Sequence, residues 1–334
     1  MKAAQINKYS KNIDVKINEI PIPDIKDNEV LIKVKAIAIN PVDILNLQGA
    51  VKLIHDYKMP LTLGNECSGL VEKVGKNITA FTPGDRVYSR VPISTLGAFA
   101  EYVVIAESAL AHMPNGYSFE SAAAIPLTGL TAYQAAVDIL KAKEGETVFI
   151  PGGSGSFGQM AVPILKALNL KVILSGNKRS RDSILALGAD KYIVYTEENY
   201  YDVLSNVDYV IDALGLSAFD KELSVLKEGG TLLTLRGIPN REFAKLNSLP
   251  AFKRVLFTLA GLKYDLKAKR EKKFYRFMFV KEDGRQLEKI TKIVEERNIN
   301  PRIDSAHFKL DEINDALKLV NEGHINGKVI ISIP

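Results

Sequence analysis

A short glycine-rich stretch constrains this chain more than any other feature. It has the pattern G-x-G-x-x-G at Gly153, Gly155 and Gly158. Residues 147–151 before it are typical of a buried strand, and residues 157–168 after it have helical spacing. A dinucleotide-binding βαβ unit requires this context, because free N–H groups at a helix N-terminus then face a pyrophosphate. The sequence therefore predicts a dinucleotide site.

Each glycine of the loop has a predicted role. Gly153 would permit the tight turn, Gly155 would let the backbone approach the pyrophosphate, and Gly158 would let the helix pack on the strand. The loop residues between them are predicted to bind the cofactor as well: Ser154, Ser156 and Phe157.

The end of the next predicted strand indicates which dinucleotide binds. An NAD site has an acidic residue there, about 20 residues after the loop. Residues 175–181 instead read Ser-Gly-Asn-Lys-Arg-Ser-Arg. The alternative is the start of a helix whose basic side chains simply face solvent. Positive charges at a helix N-terminus interact unfavourably with the helix dipole, however, unless an anion compensates them. We therefore predict NADPH, because small polar groups and cations would hold its 2′-phosphate. The predicted contacts are Ser175, Asn177, Lys178 and Arg179.

The pattern of apolar and polar residues changes along the 334-residue chain. Residues 1–110 show the two-residue period of half-buried strands joined by turns, as in an antiparallel barrel. From about residue 119, strands and helices alternate, which is typical of a doubly wound parallel sheet. We predict an α/β protein of two domains, residues 1–119 with 284–334, and residues 120–283.

Composition excludes several classes of protein. With 46% hydrophobic and 25% charged residues, the chain is neither disordered nor fibrous. A single cysteine, Cys67, permits neither an intramolecular disulfide nor a cysteine-built zinc site and fits a reducing cytoplasm. The N-terminus is too polar for a signal peptide, and no apolar run approaches the length of a membrane span. A net charge of +5 does not indicate nucleic acid.

Residues 241–276 form a basic insert. They hold 11 Lys or Arg against three acidic residues, so the rest of the chain is slightly negative. Apolar residues within 252–273 recur at close to helical spacing. Three interpretations remain open: helices packed on the cofactor domain with a solvated basic face, an element that caps the substrate or joins two copies, or a peripheral contact with anionic membrane.

Several blocks, in this order along the chain, make it resemble the medium-chain dehydrogenase/reductase superfamily. They are residues 38–43, 63–69, 83–87, 97–102, 127–133, 187–190 and 326–329. Within that superfamily the chain is similar to the zinc-free quinone oxidoreductases and the NADPH-dependent alkenal and enone reductases. The resemblance implies a GroES-like barrel as the catalytic domain, a Rossmann cofactor domain with the basic helical insert at 241–273, and a homodimer formed at an edge strand over 274–280.

The resemblance also implies that zinc is absent. The zinc-dependent relatives hold their catalytic metal with side chains whose positions here carry Asn40, Asn65 and Leu127. None is a good zinc ligand. The four histidines show no paired spacing: His55, His112, His307 and His324. We therefore predict no metal, and an acceptor that delocalises charge itself, a quinone or an α,β-unsaturated carbonyl.

By the same resemblance, Asn40 is the predicted catalytic residue. Its amide would lie near the nicotinamide ribose and donate to a developing enolate; the alternative is an Asn that organises the turn before Pro41. Thr128 would contact the carboxamide end of the cofactor, or be an ordinary helix-interior threonine. Tyr195 would lie near the adenosine phosphate, or be an unremarkable strand residue. The remaining predicted cofactor contacts are Ala213, Leu214, Gly215, Arg236, Gly237 and Lys328.

Two functions from different classes follow from these predictions. One is an NADPH-dependent reductase of quinones or enones. The other is a non-catalytic NADPH-binding sensor or partner-binding protein that keeps the fold. An alcohol dehydrogenase with replaced ligands is a rival within the first class. No titratable residue is placed well enough by sequence to be named as the proton donor.

Overall fold

A computed structural model describes residues 1–323 and 325–334 of the chain. The chain divides into two compact units, unit 1 with residues 1–130 and 281–334, and unit 2 with residues 131–280. The strands are β1 (Lys2–Ile6), β2 (Lys16–Glu19), β3 (Glu29–Ile39), β4 (Leu61–Thr62), β5 (Glu66–Val74), β6 (Arg86–Arg90), β7 (Tyr102–Ala106), β8 (Ala111–His112), β9 (Thr147–Ile150), β10 (Lys171–Gly176), β11 (Lys191–Val194), β12 (Val207–Asp212), β13 (Leu226–Thr234), β14 (Phe274–Phe277), β15 (Ile303–Phe308) and β16 (Lys328–Ser332).

The helices are α1 (Pro41–Leu47), α2 (Phe119–Ala123), α3 (Pro126–Gln134), α4 (Ser156–Ala167), α5 (Arg181–Ala186), α6 (Tyr200–Val203), α7 (Phe219–Ser224), α8 (Arg241–Leu246), α9 (Ala251–Arg270), α10 (Gly284–Glu296) and α11 (Ile313–Glu322). Short 3-10 turns join several of these elements.

Unit 1 is built on two sheets that are largely antiparallel. One has the order β15-β16-β3-β5-β6-β8, with β7 also paired to β3, and the other has the order β2-β1-β4. The long strand β3 pairs with β5, β7 and β16. Its burial alternates only over residues 32–36, and the rest of the strand is mostly buried, so the two-residue period predicted for β3 holds only in part. The antiparallel region predicted for the first 110 residues is confirmed. The sequence did not reveal β15, which pairs with β16 in parallel.

Unit 2 is a parallel sheet of six strands with the order β11-β10-β9-β12-β13-β14. Counted from β9, this order is 3-2-1-4-5-6, the doubly wound arrangement that binds dinucleotides at the carboxyl ends of its strands. The predicted fold class is thereby confirmed. The central strands β9 and β12 are buried because both faces of the sheet are covered, as the apolar residues Phe149 and Val210 show.

The apolar stretch after residue 118 is interrupted by Pro126, which begins α3 rather than continuing α2. A π-helical segment, Ala135–Leu140, follows α3, and Lys141 ends it in the left-handed region. The window Phe119–Leu140 is long and apolar enough to cross a membrane, but 78% of it is buried inside the structure. A buried core helix passes the same test, so this window is weak support for a membrane span.

The basic insert folds as α8 and α9 and leads into β14. This strand pairs with β13 and ends the sheet, as expected for the edge strand implied by the resemblance.

Candidate active site

A buried polar cluster lies where three neighbouring strands of unit 1 meet. Asn40 follows β3, Glu66 begins β5 and Lys328 begins β16, and β3 pairs with both other strands. The Lys328 ammonium donates to Asn40 Oδ1 and to Glu66 Oε1, and Asn40 Nδ2 donates to Glu66 Oε1 at 2.7 Å. All three side chains are buried. A buried charge is tolerated only when it is paired in this way.

Asp43 in α1 extends this cluster. Its carboxylate accepts hydrogen bonds from the backbone N–H of Asn40 at 2.7 Å and from Asn65 Nδ2 at 2.6 Å. Burial raises the pKa of Asp43 to about 7, with Glu66 contributing in the same direction and the two hydrogen bonds opposing it. A buried carboxyl group that titrates near neutral pH is a common feature of functional sites.

Several buried polar atoms near Asp43 have no hydrogen-bond partner among the described residues. They are Tyr57 Oη, Asn65 Oδ1, both amide atoms of Asn46, and Nε and Nη2 of Arg90. Buried polar atoms in native proteins are nearly always satisfied, so such a group indicates a place for a ligand or ordered water. Burial raises the pKa of the Tyr57 phenol, which therefore remains a neutral hydrogen-bond donor.

The structure limits what Asn40 itself can do. Its amide nitrogen donates both to Glu66 and, at 3.2 Å, to the carbonyl oxygen of Ala38, while its oxygen accepts from Lys328. Neither amide hydrogen is left for an enolate in this arrangement. Lys328, a predicted cofactor contact, is buried in the same cluster. Thr128 Oγ1 donates to the carbonyl oxygens of Ala124 and Ile125, which lie between α2 and α3.

Unit 2 forms the predicted glycine loop between β9 and α4. The left-handed residue of the turn is Gly152 (φ +67°) and not Gly153, so the predicted role of Gly153 is corrected. A Cβ on Gly153 would lie 2.5 Å from the Leu174 side chain. Close packing therefore explains why this position carries a glycine. A Cβ on Gly158 would lie 1.8 Å from the carbonyl oxygen of Gly153, so Gly158 packs on the loop itself.

Gly155 differs from the other glycines of the loop. A Cβ built on it would meet nothing within 4 Å, and its φ of −86° is allowed to any residue. Gly155 also precedes the first turn of α4, which includes Ser156 and Phe157 and whose N–H groups have no helical partner. An open space at a helix N-terminus suits an anionic group, so the residues present are compatible with a pyrophosphate, and the contact itself stays a prediction.

Ser175 supports the loop from the neighbouring strand. Its carbonyl oxygen accepts from the N–H of Gly153 at 2.9 Å, and its hydroxyl lies 3.4 Å from the N–H of Gly152. Ser154 packs close to Gly176 at the end of β10. These contacts hold the loop against the end of β10.

The basic segment after β10 is only partly available to a phosphate. Asn177 caps the following turn by accepting from the N–H of Ser180 at 3.0 Å, and Lys178 pairs with Glu197 at 2.7 Å. Arg179 is exposed and forms no ion pair with any described residue. Of the two predicted cationic phosphate contacts, Lys178 is paired with a carboxylate, and Arg179 has no ion-pair partner among the described residues.

The other predicted cofactor contacts of unit 2 also follow the carboxyl ends of strands. Tyr195 follows β11 and is 62% exposed, while residues 213–215 follow β12 and Arg236 and Gly237 follow β13. Asp212 accepts from the N–H groups of Leu214 and Gly215, both at 2.7 Å, and thereby fixes the turn that contains Ala213.

A buried acid stands beside this turn. Glu222 in α7 is fully buried beside Asp212, to which its protonated carboxyl group can donate a hydrogen bond. Burial, and then the negative charge of Asp212, raise the pKa of Glu222 to about 9 from 4.5. The folded protein therefore keeps the Glu222 proton over a pH range in which the unfolded chain loses it.

This linkage predicts a pH-dependent loss of stability. Because the pKa of Glu222 is higher in the folded protein than in the unfolded chain, protonated Glu222 contributes its full share to the free energy of unfolding below pH 4.5. This contribution is lost as the pH rises towards 9. In urea denaturation series, the free energy of unfolding of Glu222→Gln minus that of the wild type should rise by up to about 1 kcal/mol per pH unit across this window. Asp43 titrates in both proteins and cancels in the difference. Exposed Glu198→Gln is the control, and a Glu222→Gln curve parallel to the wild type would contradict the prediction.

Comparison with known proteins gives consistent matches to both units. Residues 26–115 match the alcohol dehydrogenase GroES-like domain, and residues 187–331 match a zinc-binding dehydrogenase domain. The chain is 30% identical to the 2-methylene-furan-3-one reductase of Solanum lycopersicum over 99% of this chain and 79% of that protein. It is also 30% identical to the NADPH-dependent alkenal/one oxidoreductase of Arabidopsis thaliana, over 94% of this chain and 74% of that protein.

Among solved structures, the quinone oxidoreductase from Coxiella burnetii superposes with a TM-score of 0.83 at 27% identity, covering 100% of this chain and 99% of that one. The chain belongs to the medium-chain dehydrogenase/reductase superfamily. The predicted resemblance is confirmed, and both plant relatives are named as a reductase or an oxidoreductase.

Because the superfamily includes zinc enzymes, the donor set of this member is informative. Asn40 is engaged with Lys328 and Glu66, and Asn65 donates to Asp43. The side chain of Leu127 is apolar and cannot bind a metal, and its backbone N–H donates to Glu66 Oε2 at 2.7 Å. No group of three His, Cys, Asp or Glu among the described residues could hold a metal ion. Cys67 is buried, and burial raises the pKa of its thiol to about 12. These residues do not fit zinc; His324 lies outside the described residues.

Four residues of this candidate site were not predicted from the sequence: Asp43, Tyr57, Glu66 and Arg90. Asp43 had a usable signal, since an Asn followed three residues later by an acid is a helix-start pattern. Glu66 lies inside a block that carries the family resemblance. A single Tyr in a loop or a single Arg at a strand end gives no local signal of burial.

Proposed function

We propose that this member of the superfamily transfers hydride from NADPH to a quinone or to an α,β-unsaturated carbonyl compound, without zinc. The observation that carries the proposal is the buried cluster of Asn40, Glu66 and Lys328. It puts a lysine ammonium, an amide and a carboxylate around a position where the zinc-dependent relatives have a metal ligand. The names of the relatives, an alkenal/one oxidoreductase and a quinone oxidoreductase, support the same class of acceptor.

The chemistry follows from a donor set that does not suit a Lewis-acid metal. Bound NADPH would supply the hydride and would be oxidised to NADP⁺. An enone accepts the hydride at its β-carbon, the C=C bond becomes single, and a proton from solvent completes the saturated carbonyl. A quinone accepts a hydride and a proton to give the hydroquinone. In both acceptors conjugation places negative charge on an oxygen, so the protein has to position the acceptor and donate hydrogen bonds to that oxygen.

We assign this donation to Tyr57, with Arg90 next to it, rather than to Asn40. Both carry buried donors without a partner among the described residues, whereas the Asn40 amide hydrogens are engaged. Asn40, Glu66 and Lys328 then act as positioning residues that hold this part of unit 1 in place.

Tyr57→Phe is the variant that tests the assignment. It removes a hydroxyl that donates to no described residue in the folded protein, so the thermal midpoint should change little. Loss of one donor to the developing negative charge should lower kcat by about tenfold or more, with KM nearly unchanged. Tyr200→Phe is the matched control, because the Tyr200 hydroxyl is also buried without a partner among the described residues but lies in unit 2. Equal losses in the two variants would remove Tyr57 from the proposal.

Arg179 is the residue on which we place the preference for NADPH over NADH. An exposed guanidinium with an unshared charge can form a bidentate pair with a 2′-phosphate, which NADH lacks. Arg179→Gln should lower the ratio of kcat/KM for NADPH to kcat/KM for NADH by about tenfold or more. Lys171→Gln, at the opposite end of β10, is the control. A ratio unchanged by Arg179→Gln, or a wild type that prefers NADH, would contradict the assignment.

A panel of acceptors tests the reaction class. Oxidation of NADPH, followed by the loss of its nicotinamide absorbance, should occur with simple quinones or short alkenals and enones, and not with saturated aldehydes. Activity with saturated aldehydes alone, together with stoichiometric zinc by metal analysis, would favour an alcohol dehydrogenase. No turnover in the whole panel would favour the non-catalytic NADPH-binding protein.

A further inference from the structure

Helix α9 carries two apolar stripes, and one of them faces the protein. Phe257, Gly261 and Ala268 are buried, and Tyr264 packs on the aromatic ring of Phe219 at 5.0 Å between centroids. These residues recur every three or four positions and so share one side of the helix. Gly261 allows the close approach, since a Cβ there would come within 2.5 Å of Asn240. This stripe is sufficient to attach α9 to unit 2.

The second stripe faces away from the protein. Its members are 41% to 68% exposed and follow the same three- and four-residue spacing: Phe252, Val255, Leu256, Leu259, Leu262 and Leu266. At roughly 100° per residue, this stripe lies about half a turn around α9 from the buried one. Six large apolar side chains side by side on one exposed helix face mark an interaction surface, unlike scattered exposed residues.

The flanks of this outward stripe are basic. Helix α9 contains six Lys or Arg and a single acid, Asp265. Asp265 accepts from Asn240 Nδ2 at 2.8 Å and is thereby committed to the protein side. Lys253, Lys263, Lys269 and Arg270 form no ion pair with any described residue. Long basic side chains can place their charges beside an apolar surface while their methylene stems lie along it.

A depression of about 330 Å³ adjoins the stripe on the side of α8. Its lining combines Val255, Thr258 and Leu259 with three cations, Arg241, Lys245 and Arg254. Leu246, at the end of α8, is 56% exposed and adds to the apolar surface. This mixture suits the phosphate of a lipid headgroup next to its acyl chain.

We propose that the outward stripe of α9 docks on the surface of an anionic lipid bilayer, with the helix lying in the plane of the interface. An apolar face bordered by Lys and Arg is the composition of helices that bind in this way. A second copy of the chain fits less well, because a two-fold axis would bring two equally basic helices together. The proposal does not depend on the proposed function.

Vesicle co-sedimentation with the full-length protein tests the proposal. We expect binding to phosphatidylcholine vesicles that contain about 30% phosphatidylglycerol to exceed binding to pure phosphatidylcholine by about tenfold or more, and to weaken as salt is added. Leu259→Glu places a charge in the centre of the stripe and should lower the bound-to-free ratio about tenfold or more. Lys263→Glu should lower it as well.

Two controls separate the stripe from general surface effects. Leu53→Glu changes a leucine of similar exposure in unit 1, and Lys73→Glu changes an exposed lysine there; both should bind like the wild type. All variants should retain the wild-type thermal midpoint. The proposal is overturned if the wild type ignores anionic vesicles or binds neutral ones equally. It is also overturned if Leu259→Glu changes the mass in solution without lipid, since the stripe would then join two copies.

Discussion

Lys328→Met is expected to lower the free energy of unfolding by about 3–5 kcal/mol at pH 7. The Lys328 ammonium is the cation that contacts both Glu66 Oε1 and Asn40 Oδ1, and all three side chains are buried. Methionine has a similar length and packs well in a core, so the loss comes from the charge. Glu66 would be left as a buried carboxylate without its cation, and desolvation of an unpaired charge is costly. Urea denaturation at constant pH measures the change.

A double variant separates this cause from a packing defect. Lys328→Met combined with Glu66→Gln removes both charges, while the amide oxygen introduced by the second substitution can still accept from the Leu127 N–H. The double variant should therefore recover much of the stability that the single variant loses. The exposed pair Lys272–Glu228 provides the control, and Lys272→Met should cost less than about 1 kcal/mol. Additive losses in the double variant would show that Lys328 matters for its shape and not for its charge.

Local patterns were enough to predict the scaffold of unit 2. A strand, a glycine loop and an amphipathic helix are each encoded within a few residues, and their alternation fixes a parallel sheet. The doubly wound order of β9 to β14 follows, because right-handed crossovers leave few alternatives. The backbone conformation of the glycine loop could not be predicted in this way, because the sequence does not show that Gly152 and not Gly153 takes the left-handed conformation.

The polar cluster of unit 1 could not be predicted from local patterns. Lys328 and Asn40 are 288 residues apart, and only the pairing of β16 with β3 brings them together. The family resemblance implied a role as donor for Asn40, but the hydrogen bonding of its amide depends on partners from three strands. The same holds for Glu222, whose raised pKa results from burial beside Asp212 and not from its neighbours in sequence.

Periodicity also could not decide which face of α9 packs on the protein. The apolar spacing over residues 252–266 belongs to the exposed stripe, while the buried stripe includes Gly261 and Ala268. Small residues permit a close approach but give little signal in a hydrophobicity pattern. The most apolar face of a helix is therefore not always its buried face.

Gly155→Ala should weaken NADPH binding about tenfold or more while the protein remains folded. A methyl group at this position meets no protein atom within 4 Å, and the φ of −86° is as good for alanine as for glycine. Stability should be unchanged or slightly higher, because alanine restricts the unfolded chain. The methyl group would instead occupy the space that the proposed pyrophosphate site leaves free at the start of α4. We expect the dissociation constant for NADPH, measured by calorimetric titration, to rise by about tenfold or more.

Gly158→Ala should lose NADPH binding for a different reason, and the comparison between the two variants is the decisive one. Its Cβ would lie 1.8 Å from the carbonyl oxygen of Gly153, a backbone atom that cannot move without distorting the loop. The free energy of unfolding should therefore fall by about 2–3 kcal/mol, as in other overpacked sites. If Gly155→Ala bound NADPH like the wild type, the space above Gly155 would not hold the pyrophosphate. If both variants lost stability equally, their binding losses would report folding alone, and the cofactor would have to be placed elsewhere in unit 2.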